Sequence, residues 1–351
     1  MPETKLLDIA RRLGVSKTTV SLALRGKPGL SEETVRRVLE TAREMGYTPN
    51  PISSELMEIV RKNRHQEGSQ VIAFINPYQN PKRIRRLAGI WDFVEGAKMR
   101  AITYGYRIEV FDAREPGMTD GRLSDILEAR GIRGVLLGPT WGTEVQVALP
   151  WDKFFAVVLG VPESGPHLQR VCNHHHHGTY TALDVLASKG YRNVGVALVR
   201  RHELGTRYAY SLGAEQFRLE QRPGVNVTTW IYDVWNDDEA RAWVEKNDLD
   251  AVVGLAYDDI ITSLRTAAGA SVGYANLAIW PGVPLSGIDQ HPQSIGGAGV
   301  DLLRGLMLSG TRGIASRPQT LLVDGEWKEG STTPGPGRTY PPVKYDSPDV
   351  A

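Results

Sequence analysis

The chain has 351 residues, of which 41% are hydrophobic and 23% are charged, and this is long enough for two or three packed units of a globular protein. Its longest apolar runs, such as VIAFI and FFAVVLGV, are too short to span a bilayer, and its first residues lack a secretory pattern. Cys172 is the single cysteine, so no internal disulfide can form. Together, these features predict a cytoplasmic protein with no membrane span.

The net charge of +1 conceals an uneven distribution of charged residues along the chain. Residues 1–64 hold 12 Lys and Arg against 8 Asp and Glu, so the basic excess lies in the first fifth. A modest excess of this kind is compatible with a nucleic-acid partner, and equally with an ordinary solvated surface.

Three short helices are predicted at the start of the chain. TKLLDIARRL carries an apolar stripe, Gly14 then allows a tight turn, and Ser16 caps the helix KTTVSLALR. The loop GKPGL leads to SEETVRRVLETAREMGY, which begins at the N-cap Ser31 and stops at YTPNP. The polar stretch ISSELMEIVRKNRHQEGS predicts a linker that can form one or two helical turns.

From Gln70 onward, apolar strand patterns alternate with amphipathic helix patterns. This alternation is typical of doubly wound parallel sheets, and its length predicts two of them. Ligands in such folds bind beyond the carboxyl ends of strands, here in a cleft between the sheets. The candidate ligand contacts that follow predicted strands are Asn76, Tyr78, Gln79 and Trp141.

These patterns divide the chain into four segments. We predict an all-α headpiece over residues 1–50, a hinge or linker over 51–68, and an α/β region of two subdomains over 69–330. The second subdomain is predicted to begin near residue 174. The Pro-rich residues 331–351 predict a disordered tail.

A helix, a turn with glycine and a second helix at about a right angle form the helix-turn-helix pattern. Val20 and Ala23 would anchor the second helix inward, which leaves its amino-terminal side chains free to meet base edges. Hydroxyl and backbone N–H groups near the turn suit phosphate oxygens, although a helical cap with a polar surface is the alternative. The outward residues are Lys17, Thr18, Ser21 and Leu22 for bases, and Ser16 and Thr19 for phosphates.

The stretch LLDIARRLGVSKTTVSLALRGKPGLSEETVRRVLETAREMGYTPNP, followed by a hinge with a leucine, resembles the DNA-binding headpiece of the LacI/GalR transcription regulators. The match is close over about residues 4–57. The rest of the chain resembles more loosely the periplasmic-binding-protein-like effector domain of that family. The resemblance implies a homodimer, a palindromic double-stranded DNA operator and a small-molecule effector, sugar or sugar-like, and we expect no cofactor.

The resemblance also assigns DNA-contacting roles to residues of the headpiece and hinge. Leu22 stands where the family often has an arginine, which could bind guanine, so the operator should differ from the commonest family sites. Leu56 matches the hinge leucine that wedges into the central minor-groove step, and Ser53 stands where the family often has alanine. The set comprises Lys17, Thr18 and Leu22 at bases, Ser16, Thr19, Ser21 and Asn50 at the DNA backbone, and Ser53 and Leu56 in the hinge.

The histidine run 174–177 falls where the resemblance places an Asp-Asn pair at the start of a helix beside the effector cleft. His174 and His175 would then replace an acidic acceptor by a pH-sensitive donor or acceptor. Helix capping and surface exposure are the alternative. A metal site is not expected, because four consecutive histidines cannot all face one ion.

The same alignment places Tyr210 where the family has its effector-contacting arginine, with Arg207 one turn earlier. Asp258 matches an acidic position after a strand, and Asp289 is the nearest acid after NLAIWPGVP, which lacks the family's usual acidic pair. These departures put a simple sugar in doubt, and they leave a nucleobase, a sugar derivative or an aromatic effector as alternatives.

The sequence therefore favours an effector-controlled, DNA-binding transcriptional regulator, most simply a repressor. The alternative is a free-standing small-molecule binding protein of transport type, against which the basic headpiece and the missing secretory pattern argue. An enzyme is not expected, because the chain has no GxGxxG after a strand, no GxxxxGK[ST] loop and no GxSxG elbow.

Overall fold

The computed structural model describes residues 6–24, 30–45, 47, 70–78, 88–139, 147–161, 166–255, 272–279 and 283–340. The chain separates into two compact units, residues 1–68 and residues 69–351. Within the described ranges, no helix combines the length and the apolar character that crossing a bilayer would require.

The described part of the first unit consists of three short helices around one small core. The helices are α1 (Leu6–Leu13), α2 (Lys17–Leu24) and α3 (Glu32–Glu44). Each helix contributes apolar side chains from one face, as the periodicity of the sequence predicts. The buried core residues are Ile9, Ala10, Val20, Ala23, Val38 and Ala42.

Local signals define where these helices begin. Gly14, in the turn before α2, has φ +66°, a conformation that a residue with a Cβ adopts only at a cost. Ser16 Oγ accepts a hydrogen bond from Thr19 N at 3.0 Å, and Ser31 Oγ accepts one from Thr34 N at 3.3 Å. Both predicted N-caps are therefore confirmed.

The second unit contains two six-stranded sheets, which confirms the two predicted α/β subdomains. Its strands are β1 (Gln70–Asn76), β2 (Tyr106–Asp112), β3 (Gly134–Leu137), β4 (Phe155–Leu159), β5 (Gln169–Asn173), β6 (Asn193–Val199), β7 (Asn226–Tyr232), β8 (Ala251–Gly254), β9 (Gly273–Ile279), β10 (Ser286–Asp289), β11 (Thr320–Val323) and β12 (Glu326–Lys328). The first sheet has the order β11-β5-β4-β3-β1-β2, and all of its pairs are parallel. The second has the order β12-β10-β9-β8-β6-β7, parallel except for β12 against β10.

Helices pack on these sheets. They are α4 (Ala88–Thr103), α5 (Asp120–Ala129), α6 (His175–Ser188), α7 (Arg200–Thr206), α8 (Ala209–Leu219), α9 (Asp237–Lys246) and α10 (Pro292–Ser309). All residues of β3, β4 and β8 are buried, as expected for parallel strands that are covered on both faces. This burial explains why these strands read as continuous apolar runs in the sequence.

Helices α4 and α10 pack with their backbones in contact. A Cβ at Gly96 would lie 1.9 Å from Gln293 O, and a Cβ at Gly296 would lie 2.0 Å from Phe93 O. Since α10 and β11 come late in the chain, residues 292–323 complete the first subdomain, which the sequence-based division had ended near residue 174.

The chain crosses between the subdomains at three described points: between β5 and α6, between β10 and α10, and between β11 and β12. The stretch QTLLVDGEW, predicted as one strand, is divided between the two sheets at the last crossing. Asn173 Nδ2 donates to Gln290 O at 2.8 Å, and His174 N donates to Val323 O at 2.9 Å. The crossing segments are thus hydrogen-bonded to one another.

The stretch LGTRYAYSLGAEQFRLE, predicted as one helix, is divided into α7 and α8. Arg207 and Tyr208 lie between the two helices at φ 56° and 62°, in the left-handed conformation that interrupts a right-handed helix. Tyr208 N donates to Glu203 O at 2.6 Å and so closes the end of α7.

Residues 331–340 differ from the disordered tail that was predicted. Thr332 Oγ1 donates to Tyr274 O at 2.6 Å, and Tyr340 is only 3% exposed. The Pro-rich composition predicted disorder, but hydrogen bonds to the second sheet and burial of an aromatic ring order this segment. Residues 341–351 lie outside the described ranges.

Candidate functional site

The amino-terminal half of α2 presents polar side chains to solvent. Lys17 and Thr18 are exposed, whereas Val20 and Ala23 are buried in the three-helix core. Leu22 is half-buried. The predicted inward anchors are therefore confirmed, and a lysine and a threonine stand accessible at the start of the helix.

The hydroxyl groups at the start of α2 contact each other. Ser16 Oγ and Thr19 Oγ1 lie 2.8 Å apart, and Ser16 Oγ also caps the helix. The first turn of α2 has no acidic residue, so the positive end of the helix dipole is not neutralised from within the helix. The predicted contacts that lie outside the described residues are the Ser21 side chain, Asn50, Ser53 and Leu56.

A cavity of about 260 Å³ lies in the second unit, between its two subdomains. Strands β5 and β11 of the first sheet form one wall. The start of α6 and the break between α7 and α8 form the other. Among the described residues, the lining holds two arginines, three histidines, small polar residues and aliphatic side chains, and no carboxylate.

His174 immediately precedes α6 at this cavity and makes no side-chain cap to the helix. Its Nδ1 lies 2.7 Å from Asp324 Oδ1 instead. The capping alternative is therefore wrong for the His174 side chain. Since the first turn of α6 has no acidic residue, its amide groups have no compensating negative charge within the helix.

His175 packs against an aromatic residue at the same cavity. Its ring centroid lies 4.5 Å from that of Tyr210, and its Nδ1 is buried without a hydrogen-bond partner among the described residues. Burial lowers the pKa of His175 to about 3, with smaller contributions from His202 and His174. The ring is thus neutral near pH 7, and the pH-sensitive role of His175 in ligand binding stays a prediction.

Two further ionisable groups, the half-buried His202 and the buried Glu203, lie next to one another on α7. Burial lowers the pKa of His202 to about 4, and the nearby Arg201 adds to this effect. Glu203 is fully buried, burial raises the pKa of its carboxyl group, and its Oε2 accepts a hydrogen bond from Ser211 N at 3.2 Å. Both groups therefore favour their neutral forms more than they would in water.

Two arginines also line the 260 Å³ cavity: Arg170 on β5, and Arg207 at the break between α7 and α8. The Nε of Arg170 is buried and has no hydrogen-bond partner in the described part of the chain. Neither guanidinium forms an ion pair with a described carboxylate. Two positive charges without a described carboxylate partner therefore face the same space.

The structure brings four of the predicted effector contacts together. His174, His175 and Arg207 line the 260 Å³ cavity. Tyr210 lines a hollow of about 10 Å³ together with both histidines, and this hollow has room for no more than a water molecule.

The other predicted contacts that the structure describes, Asn76, Tyr78 and Asp289, do not line this cavity. Asn76, at the end of β1, donates to Asp112 Oδ1 at 2.6 Å and accepts from Tyr78 N at 3.2 Å. Asp289 ends β10 and accepts from His291 N at 2.8 Å. Gln79, Trp141 and Asp258 lie outside the described residues.

Arg170 and Cys172 line the cavity from within β5, and neither was among the predicted contacts. The rule that ligands bind beyond strand ends does not select residues inside a strand, so no signal pointed to them. His202 follows β6 by three residues, and the same rule could have identified it.

Within the described ranges, no group of three or more His, Cys, Asp or Glu side chains converges in the way that a metal ion requires. The rings of His174 and His177, which could have formed a pair of ligands, stack with centroids 5.5 Å apart.

A helix-turn-helix unit and a two-lobed α/β unit with a cavity between its lobes define a class of bacterial regulators, which pair a DNA-binding headpiece with a periplasmic-binding-protein-like domain. Residues 5–50 match the family described as bacterial regulatory proteins, lacI family. This match identifies the amino-terminal unit as a headpiece of the LacI type. Members of this family are regulators and not enzymes, in agreement with the expectation from the sequence.

Curated relatives are similar over part of the chain. The NTD biosynthesis operon regulator NtdR of Bacillus subtilis is 24% identical over 201 residues, which cover 54% of this chain and 53% of NtdR. The HTH-type transcriptional repressor CytR of Escherichia coli is 24% identical over 196 residues, which cover 54% of this chain and 51% of CytR. The chain thus spans about half the length of the curated relatives it matches.

Solved structures are similar over nearly the whole chain. The lac repressor dimer bound to operator and the anti-inducer ONPF aligns with 95% of this chain and 99% of its own, with a TM-score of 0.51. At 17% sequence identity, this likeness shows the fold alone.

Proposed function

We propose that the chain is a sequence-specific transcriptional regulator, acting as a repressor in the cytoplasm, that binds an operator under the control of a small molecule. The observation that carries the proposal is the exposed start of α2, where Lys17 and Thr18 project from a helix held by buried Val20 and Ala23. A recognition helix of this kind meets base edges with its amino-terminal residues.

The operator is a palindrome bound by a homodimer. One headpiece of three short helices contacts few base pairs, so high specificity needs two copies on two half-sites. The lac repressor, which has a similar fold, is a dimer when bound to its operator, and this supports the same arrangement here. Lys17, Thr18 and Leu22 read bases, Ser16, Thr19, Ser21 and Asn50 contact the DNA backbone, and Ser53 and Leu56 belong to the hinge.

The small molecule binds in the 260 Å³ cavity between the subdomains. His174, His175 and Arg207 line this cavity, and a ligand there contacts both subdomains, so it favours one relative arrangement of them. A shift between two arrangements of the DNA-bound dimer couples ligand and operator affinity by about 1–3 kcal/mol.

DNA binding is tested with the full-length chain. Genomic DNA that the protein retains is sequenced, and a recovered inverted repeat is compared with a scrambled duplex by fluorescence anisotropy. Lys17→Ala should weaken binding to the inverted repeat by about 1–3 kcal/mol, because it removes a contact at the groove.

Lys246→Ala is the matched control, because Lys246 is an exposed lysine on α9 of the second unit. Its affinity for the inverted repeat should equal that of the wild type. Equal affinity of the wild-type protein for the inverted repeat and for the scrambled duplex would contradict the proposal.

A further inference from the structure

The cavity between the subdomains has an unusual charge composition for a site that binds a neutral molecule. Arg170 and Arg207 face it from opposite walls, and three consecutive histidines border it, while the described lining has no carboxylate. Among the described carboxylates, Asp324 is the one that is hydrogen-bonded to a histidine of the lining, His174. Asp324 itself does not line the cavity. The described lining therefore carries a net positive charge.

A guanidinium group without a partner is unfavourable where water is partly excluded. The Nε of Arg170 is buried and unpaired among the described residues, so its desolvation is not compensated within that part of the protein. A bound oxyanion would supply the missing acceptor, and arginine binds carboxylate and phosphate groups through two parallel hydrogen bonds.

The start of α6 adds backbone donors to the same wall. His174, His175 and His176 line the cavity from the residue before this helix and from its first turn. This turn has no acidic side chain and no side-chain cap. Its N–H groups therefore lack the usual acceptor, and an anion would satisfy them.

We propose that the effector of this protein is an anionic small molecule, about the size of a monosaccharide, whose phosphate or carboxylate group binds between Arg170, Arg207 and the start of α6. The inference rests on the proposed function and specifies the chemistry of its ligand. The cavity has a volume of about 260 Å³, below the range of about 300–1,000 Å³ that is usual for drug-sized ligands. Its size therefore favours a ligand as small as a monosaccharide.

The test is isothermal titration calorimetry on the full-length chain with four probes: inorganic phosphate, glucose 6-phosphate, gluconate and glucose. The proposal expects at least one anion to bind and glucose to bind at least about tenfold more weakly than its phosphate ester or its acid. Binding of the phosphates identifies a phosphate ligand, and binding of gluconate identifies a carboxylate ligand.

Three variants assign the binding to the cavity. Arg170→Gln and Arg207→Gln should each weaken anion binding at least about tenfold, whereas Arg241→Gln, an exposed arginine on α9, should leave it unchanged. Arg207 is exposed, so its variant keeps the inference testable if Arg170→Gln fails to fold. Circular dichroism checks the fold of all three.

Failure of all three anions to bind would overturn the inference, as would equal binding of glucose or equal loss in Arg241→Gln. Operator binding by the same preparation is measured without any probe. Loss of operator specificity contradicts the proposed function, whereas intact operator binding without anion binding contradicts only this inference.

Discussion

At the scale of single residues, the low pKa of His175 predicts that the stability of the second unit depends on pH. Its pKa is about 3 in the folded protein and 6.5 in the unfolded chain, so both states are neutral above pH 6.5. Below pH 6.5 only the unfolded state takes up the proton, and the stability falls by about 1.4 kcal/mol per pH unit until the folded ring titrates. At pH 5 this loss is about 2 kcal/mol.

His175→Gln should therefore reduce the loss of stability on acidification. The free energy of unfolding, measured with urea between pH 5 and 7.5, should fall less steeply in the variant by up to about 1.4 kcal/mol per pH unit. Above pH 6.5 the two proteins should differ by a constant amount, which serves as the internal control. Parallel curves below pH 6.5 would show that His175 is not buried as a neutral ring.

The sequence identified the histidine run but not its chemistry. A run of four imidazoles is conspicuous in the sequence, and the resemblance placed His174 and His175 at the cleft. The low pKa of His175, however, arises mainly from burial, with smaller contributions from His202 and His174. The ring also packs against Tyr210, which is far from it in sequence. Burial of this kind becomes visible only when the tertiary structure is known.

At the scale of secondary-structure elements, the contact of α6 with α8 depends on the small size of Gly213. A Cβ at this position would lie 2.3 Å from His176 O and 2.9 Å from Thr179 Cβ. Alanine favours the helical conformation over glycine by about 1 kcal/mol, but in Gly213→Ala the clash with a backbone oxygen forces the helices apart. We expect a net destabilisation of about 1–3 kcal/mol, measured by urea unfolding.

Gly305→Ala is the matched control for this prediction. Gly305 lies in α10, is exposed, and has no atom within 4 Å of the position that a Cβ would take. The substitution should stabilise the protein by about 0.5–1 kcal/mol, because only the backbone entropy of the unfolded chain changes. Stabilisation by both substitutions would contradict the close approach of α6 and α8.

Strands were easier to predict than helix boundaries. Strands β3 and β4 are short apolar runs in the sequence, and all of their residues are buried in the structure. The apolar pattern was therefore enough to predict them. The break at Arg207 and Tyr208 has no local signal, because neither residue is a glycine or a proline. The division of QTLLVDGEW depends on which sheet each half joins, and this is decided by contacts that are distant in sequence.

At the scale of the whole molecule, the sequence predicted two kinds of folding unit, because the two units have different hydrophobic patterns. The first unit reads as three amphipathic helices with one small core, and the second reads as alternating strands and helices. The order of elements does not reveal that α10 and β11 return to the first subdomain, because a doubly wound pattern reads the same in either lobe.

Because the two units are separately compact, destabilising the first should abolish operator binding and spare ligand binding in the second. Ile9 of α1 is fully buried in a core of few residues, and Ile9→Ala should cost about 2–5 kcal/mol. Small domains are marginally stable, so a loss of this size unfolds a large share of the headpiece. Operator affinity is measured by fluorescence anisotropy, and anion binding by calorimetry.

Leu7→Ala is the control, because Leu7 lies on the same helix but is 45% exposed, so its truncation leaves no buried cavity. It should retain operator binding at the temperature at which Ile9→Ala has lost it. If Ile9→Ala weakened anion binding as much as operator binding, the two units would fold as one. The cavity in the second unit would then depend on the headpiece, and a ligand there could act on DNA affinity through shared stability alone.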